Sequence, residues 1–331
     1  MKEGLLRFLA DLVVPPRSNR RMLLRALRDV SRHPRTLTHR FNAANFAAYG
    51  KFRGVRFGCP VCGALARPLY DFPDIPLRIE HRIGVLRETL QCNHCMASMR
   101  QRSLAGALLD YLNGRWHTQL RSMEELAAHG LNDLRVLNTD NFSAMTGLLR
   151  DVEGYRRCSY LPDRPLGIEL APRYTNQDLQ RLSFPDSCFD ILLTSDVMEH
   201  VRDCDSAHRE IYRVLAPGGA YIFNVPCDMR IEEDIRLVDT TTAQDVHLCK
   251  PQFHGDPLSD GILAYRVFGR KLIETLESLG FEATFHLMQR PDRLVIDGDV
   301  FVARKPLDAR RGSAEHVHGT SALTHTADEG T

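Results

Sequence analysis

Residues 179–226, LQRLSFPDSCFDILLTSDVMEHVRDCDSAHREIYRVLAPGGAYIFNVP, decide the fold. The apolar run Phe189–Thr194 reads as a buried strand, and the polar stretch Ser195–Val201 as the loop that leaves its carboxyl end. A helix follows, capped by Asp203 or Asp205, with Ala207, Ile211, Val214 and Leu215 on one face. Pro217-Gly218-Gly219 stops it, and Ala220–Val225 forms the next strand. Strand, helix, strand with a short return implies a parallel pair. Ser195, Asp196 and Asn224 then fall at the carboxyl ends of the strands, where open α/β sheets hold their ligands.

Working outward, further strand-like runs occur at 134–137, 156–161, 281–287 and 295–303, with helical runs between most of them. This pattern predicts a doubly wound, mostly parallel Rossmann-like sheet. Its last two strands are joined through MQRPDR, too short for a crossover helix, so they should pair antiparallel at one edge. After the first strand comes VLNTDNFSAM, residues 136–145, where a nucleotide-binding turn would carry glycines. The first glycine in reach is Gly147, already inside the next helix.

Before the sheet stand two Cys-x-x-Cys knuckles, Cys59/Cys62 and Cys92/Cys95, separated by 29 residues. Two such knuckles supply four thiolates, a closed tetrahedral set for structural zinc. Free thiols, or a redox role for one knuckle, are the alternatives. The remaining five cysteines have no ligand spacing. Arg100 and Arg102, just beyond the second knuckle, are expected to dock this module on the body, or to hold an anionic group.

The net charge of +1 hides an asymmetry: residues 1–57 carry 13 Lys/Arg against 3 Asp/Glu. Two amphipathic stripes run through this basic arm, which suits an anionic partner such as a nucleic acid or a membrane surface. Residues 58–131 form the zinc-ribbon-like module and linking helix, 132–306 the α/β domain, and 307–331 a polar tail expected to be disordered. No run approaches the ~18 apolar residues of a transmembrane helix. Without a cleavage-site pattern, and with nine cysteines, the expected compartment is the reducing cytoplasm.

The succession of Leu-Ser-Phe-Pro-Asp, Phe-Asp, Glu-His-Val and Arg-Val-Leu-x-Pro-Gly-Gly resembles class I S-adenosylmethionine-dependent methyltransferases with a type 11-like domain. Residues 247–281, together with the knuckles, resemble a bacterial subgroup often associated with cell-surface polysaccharide synthesis. The resemblance implies S-adenosylmethionine as cofactor, with Asp178 and Leu179 at its adenine. For the ribose it implies an acid at the end of the second strand, where Tyr160 stands, with Asp163 and Glu169 as offset candidates; it sets Ser195 and Asp196 along the cleft. The family's acid-x-Gly-x-Gly-x-Gly is replaced here by Asn138-Thr139-Asp140-Asn141-Phe142-Ser143, so Asn138, Thr139, Asn141 and Ser143 are expected to bind the amino-acid end through side chains.

A sulfonium donor arrives activated, so the protein's main tasks are alignment of the acceptor and exclusion of water. A hydroxyl acceptor also needs a base, for which His200 and His254 are the candidates, with Glu199 orienting His200. The expected acceptor is a small molecule or saccharide. Two other readings remain: an inactive methyltransferase-like scaffold, motivated by the altered loop, and an RNA methyltransferase, motivated by the knuckles and the basic arm.

Overall fold

The computed structural model describes residues 54–70, 86–129, 133–140, 143–254 and 261–307. The basic arm up to residue 53, the tail beyond Leu307, and Asn141 of the first loop lie outside them.

The described residues open with two small antiparallel pairs. Strands β1 (Phe57–Gly58) and β2 (Leu65–Ala66) carry the first knuckle between them. Strand β3 (Pro68–Tyr70) pairs with β4 (Leu90–Cys92), which follows the short helix α1 (Leu86–Thr89) and leads into the second knuckle. Helix α2 (Met99–Trp116) starts at Ser98, whose hydroxyl accepts from the Gln101 amide while the Gln101 side chain accepts from the Ser98 amide. This reciprocal cap satisfies two orphan donors of the first turn. The helix ends at His117 in the left-handed region, and α3 (Met123–His129) follows.

The body is one eight-stranded sheet, built from β5 (Val136–Asn138), β6 (Tyr155–Ser159), β7 (Glu169–Ala171), β8 (Tyr174–Asn176), β9 (Phe189–Ser195), β10 (Leu215–Asn224), β17 (Glu282–Arg290) and β18 (Val295–Arg304). Their spatial order is β17-β18-β10-β9-β5-β6-β8-β7. Four neighbouring pairs are parallel and three antiparallel. The sheet is therefore mixed rather than mostly parallel. The expected antiparallel edge of β17 and β18 is present; the unexpected one is the β7–β8 hairpin. Its strands are three residues each and show no alternation, so only the loops fix it. Asn176 on β8 donates to the carbonyls of Leu161, Arg164 and Pro165 and accepts from the Leu161 amide.

Successive residues of β9 face opposite sides, as the period of a strand requires. Ile191 and Leu193 pack with Leu104, Leu108 and Leu109 of α2. Leu192 packs with Ile211 and Val214 of α5 (Cys204–Val214) and Leu276 of α6 (Lys271–Ser278). Helices thus cover both faces, and the short α4 (Ala144–Leu149) follows β5. Of the two cap candidates for α5 it is Asp203 that serves, accepting from the Ser206 amide at 3.0 Å. Helix α5 ends at Val214, and Pro217-Gly218-Gly219 forms an irregular segment at the start of β10. Gly218 adopts φ +76°, and a side chain at Gly219 would meet the Asp190 carbonyl at 2.8 Å.

Between β10 and α6 the chain forms three two-stranded pairs. They join β11 (Ile235–Arg236) to β16 (Arg266–Val267), β12 (Val238–Asp239) to β13 (Val246–His247), and β14 (Phe253–His254) to β15 (Ile262–Leu263). This layer projects over the carboxyl end of β9. Among the described residues no helix is long and apolar enough to cross a membrane.

Candidate active site and cysteine centre

The sheet order changes direction between β5 and β9, which lie side by side although β6 to β8 intervene in sequence. Asn138 ends β5, Tyr160 follows β6, Asp178 and Leu179 follow β8, and Ser195 and Asp196 close β9. Four adjacent parallel strands therefore deliver the cofactor candidates to one edge, at the switch point.

The side chains there divide into engaged and available. Asn138 is wholly buried and donates to the Tyr155 hydroxyl at 2.6 Å, while its carbonyl accepts from the Asp140 amide at 3.0 Å. Ser143 caps α4 by accepting from the Thr146 amide, and its own amide donates to Asp140. Both residues thus shape the glycine-poor loop from within. Thr139 hangs from the Leu193 carbonyl through its amide and hydroxyl. Asp178 is half-buried and accepts from the Gln180 amide, and Tyr160 is 53% exposed.

The end of β9 is occupied from the N-terminal module. The Arg87 guanidinium makes a two-pronged contact with Asp196, and Arg100 contacts Asp196, Glu88 and the Ser195 hydroxyl. Ser195 in turn donates to Asn224 of β10 at 2.8 Å. Burial pushes the Asp196 carboxyl up, but the Arg87 hydrogen bonds and the charges of Arg100 and Arg87 outweigh it and hold the pKa low.

His200 and His254, distant in sequence, meet here: His200 Nε2 lies 3.2 Å from His254 Nδ1. His200 Nδ1 is 2.8 Å from the Leu263 carbonyl, which can only accept, so in the neutral ring Nδ1 carries the proton and Nε2 presents a lone pair. Glu199 lies beneath both rings, wholly buried, its backbone carbonyl held by the Tyr265 amide. The His200 side chain is 7% exposed against 40% for His254. His254 is thus the more accessible of the two rings. Nearness of the Glu199 carboxylate pushes the His254 pKa up, against its partial burial.

In the cysteine centre the Cys59–Cys95 and Cys62–Cys92 sulfurs lie 3.7 and 3.9 Å apart. Sulfurs placed at zinc-thiolate distances on a tetrahedron would be about 3.8 Å apart. Beside them the Arg102 guanidinium is wholly buried, donating to the carbonyls of Leu90, Ala97, Arg293 and Leu294 and lying over the Phe57 ring. Burial pushes its pKa down to about 10, and the charges of Cys59, Cys92 and Cys95 work in the opposite direction. Four thiolates around a divalent ion leave net negative charge, which a buried guanidinium offsets.

The family model described as a methyltransferase domain covers β5 through most of β10. Residues 122–223 match a methyltransferase domain. An enzyme domain thus spans the switch point of the sheet. Among curated relatives, the Vibrio vulnificus ubiquinone/menaquinone biosynthesis C-methyltransferase UbiE is 41% identical over 56 residues, 17% of this chain and 22% of the relative. The Pasteurella multocida UbiE is 39% identical over 56 residues, 17% of this chain and 21% of the relative. The chain thus matches about a fifth of the length of these relatives.

Among solved structures, an S-adenosylmethionine-dependent methyltransferase from Mesorhizobium loti has a TM-score of 0.35 at 16% identity, covering 52% of this chain and 90% of that one. The Burkholderia thailandensis 1,6-didemethyltoxoflavin-N1-methyltransferase, with S-adenosylhomocysteine bound, has a TM-score of 0.31 at 19% identity, covering 61% and 87%. These are likenesses of shape and assign no activity.

The methyltransferase-domain segment contains Asn138, Thr139, Ser143, Tyr160, Asp178, Leu179, Ser195, Asp196 and His200; His254 and the four cysteines lie outside it. Arg87 is the site residue that sequence reasoning missed. It lies in the link between the knuckles, where nothing in LRETL signals a partner 109 residues away. Both Arg102 and Arg100 dock the module, Arg102 through backbone carbonyls and Arg100 through Glu88, Asp196 and Ser195 at the sheet edge. A larger cavity of about 540 Å³, lined by Trp116, Leu134 and Asp190, opens at the amino end of β5 and β9, away from these groups.

Proposed function

We propose that this protein is an S-adenosylmethionine-dependent methyltransferase that modifies a hydroxyl on a small-molecule or saccharide acceptor, with structural zinc in the cysteine centre. The observation that carries this reading is the convergence of Asn138, Thr139, Tyr160, Asp178 and Ser195 on one sheet edge, inside the matched domain. Asp178 and Leu179 would hold the adenine and Tyr160 would flank the ribose. The loop shaped by Asn138 and Ser143 would offer backbone groups and Thr139 to the amino-acid end. The cofactor supplies an activated methyl group when bound. His254, with His200 and Glu199 behind it, stands where it can take the acceptor proton. The sulfur spacing and the buried Arg102 favour zinc over free thiols. A polysaccharide-related acceptor, an anionic partner for the basic arm and a cytoplasmic location belong to the same proposal.

Calorimetric titration of the full chain with S-adenosylhomocysteine tests it. One-to-one binding, weakened about tenfold or more by Asp178→Ala in a folded protein, is the expected result for loss of a charged hydrogen bond. The Arg87–Asp196 pair across the end of β9 favours a second reading, a scaffold whose cleft is filled by its own N-terminal module. Absence of binding by the folded protein would select that reading.

A further inference from the structure

We propose that Glu199, His200 and His254 form a second metal site, a three-ligand centre for a divalent ion of the zinc class with one open position. The three nearest ligand atoms form a triangle. His200 Nε2 and His254 Nδ1 are 3.2 Å apart, His200 Nε2 and Glu199 Oε1 3.5 Å, and His254 Nδ1 and Glu199 Oε1 3.7 Å. Nitrogen and oxygen ligands at zinc distances on a tetrahedron would be separated by about 3.4 Å. The carboxylate separations are too long for good hydrogen bonds, which would draw the atoms to about 3 Å. Cis positions of an octahedral ion would close to about 3 Å, which both carboxylate separations exceed.

Two further observations point to an ion. Neither Glu199 oxygen accepts a hydrogen bond from a described residue, although the side chain is wholly buried. A carboxylate so placed needs a cation, and the imidazoles at 3.5 and 3.7 Å supply one only when protonated, whereas a bound ion supplies it with both rings neutral. The His200 ring is also prepared as a ligand: its Nδ1–H is committed to the Leu263 carbonyl, which fixes the tautomer and aims the Nε2 lone pair at the centre. Leu263 belongs to the same hairpin that carries His254, so one element sets both rings. The hairpin also provides an entry path, because a cavity of about 390 Å³ lined by Lys250–His254 opens on the His254 side.

The open position would take water or an acceptor oxygen, and with an ion bound His254 would serve as a ligand in place of the base. The use of this position in methyl transfer rests on the function proposed above; the metal site itself does not. The test therefore needs no turnover. The full chain is stripped with chelator, reloaded with Zn²⁺ or Co²⁺, and its metal content measured. Wild type should hold two ions per chain, Glu199→Gln and His254→Ala one each, and Cys92→Ser should keep the second. In the Co²⁺ protein the thiolate charge-transfer band should survive both site variants, while the ligand-field band of the nitrogen–oxygen centre disappears. One ion in wild type, or unchanged content and spectra in folded Glu199→Gln and His254→Ala, would overturn the proposal. S-adenosylhomocysteine binding by the same samples reports on the cofactor reading separately.

Discussion

Arg87 and Asp196 lie 109 residues apart and meet through two parallel contacts, Nη1–Oδ2 at 2.6 Å and Nη2–Oδ1 at 2.7 Å. Arg87 also reaches Asp299 of β18 at 3.0 Å. One guanidinium thus ties the cysteine module to two strands of the sheet. Arg87→Ala should cost roughly 1–3 kcal/mol, because both groups are about four-fifths shielded and the carboxylates are left with fewer donors. A denaturation series that includes Asp196→Asn and the double variant would give the coupling. Additive losses would mean that the pair contributes nothing beyond its parts.

The cysteine centre and Arg102 should behave as one electrostatic unit. Arg102→Met removes the buried charge facing the thiolates, so zinc affinity should fall by at least tenfold in chelator competition. Cys92→Ser should release the ion and lower the melting temperature. Undiminished zinc affinity in Arg102→Met would show that the carbonyl contacts, and not the charge, are what the guanidinium supplies.

Asn138 should be a stability residue first. Asn138→Ala leaves the Tyr155 hydroxyl without its short donor, in a site where burial already pushes the tyrosine pKa up to about 12. A loss of roughly 1–3 kcal/mol is expected from urea denaturation. A neutral result would mean that Thr146, 3.1 Å from the same hydroxyl, suffices as partner.

His208 should make the protein acid-sensitive. It is wholly buried on α5, neither ring nitrogen has a hydrogen-bond partner among the described residues, and burial, then the charge of Arg266, pushes its pKa down from 6.5 to about 4. The unfolded chain binds a proton below about pH 6.5 where the folded chain does not. Stability is therefore full above that pH and falls as pH drops towards 4, by roughly 3 kcal/mol at most. In His208→Leu the difference in denaturation midpoint between about pH 7 and pH 5 should shrink. An unchanged difference would assign the acid sensitivity to other groups.

Much of this architecture was legible from periodicity. The run Phe189–Thr194 and the stripe Ala207, Ile211, Val214 announce a buried strand and its covering helix, because burial on a sheet fixes both spacings. The β7–β8 hairpin was not legible, since its position is set by Asn176 holding a distant loop. At the site, His200 and His254 were named separately, and Glu199 as a neighbour of His200. Their convergence depends on a hairpin register that no local pattern encodes. In the sequence Asn138 and Ser143 read as cofactor-binding side chains, with no indication of which way they face. The burial of Asn138 under Tyr155 and the cap on α4 turn both inward, a distinction that composition does not carry.

The four carbonyls that receive the Arg102 guanidinium come from opposite ends of the described chain, Leu90 and Ala97 before it and Arg293 and Leu294 nearly two hundred residues after. During synthesis the cysteine knuckles emerge before the sheet, yet the seat beneath them is finished only when the β17–β18 turn has left the ribosome. Until then a guanidinium destined for burial has half its acceptors. A chain that stopped before residue 293 would leave this guanidinium with only the Leu90 and Ala97 carbonyls of its four acceptors.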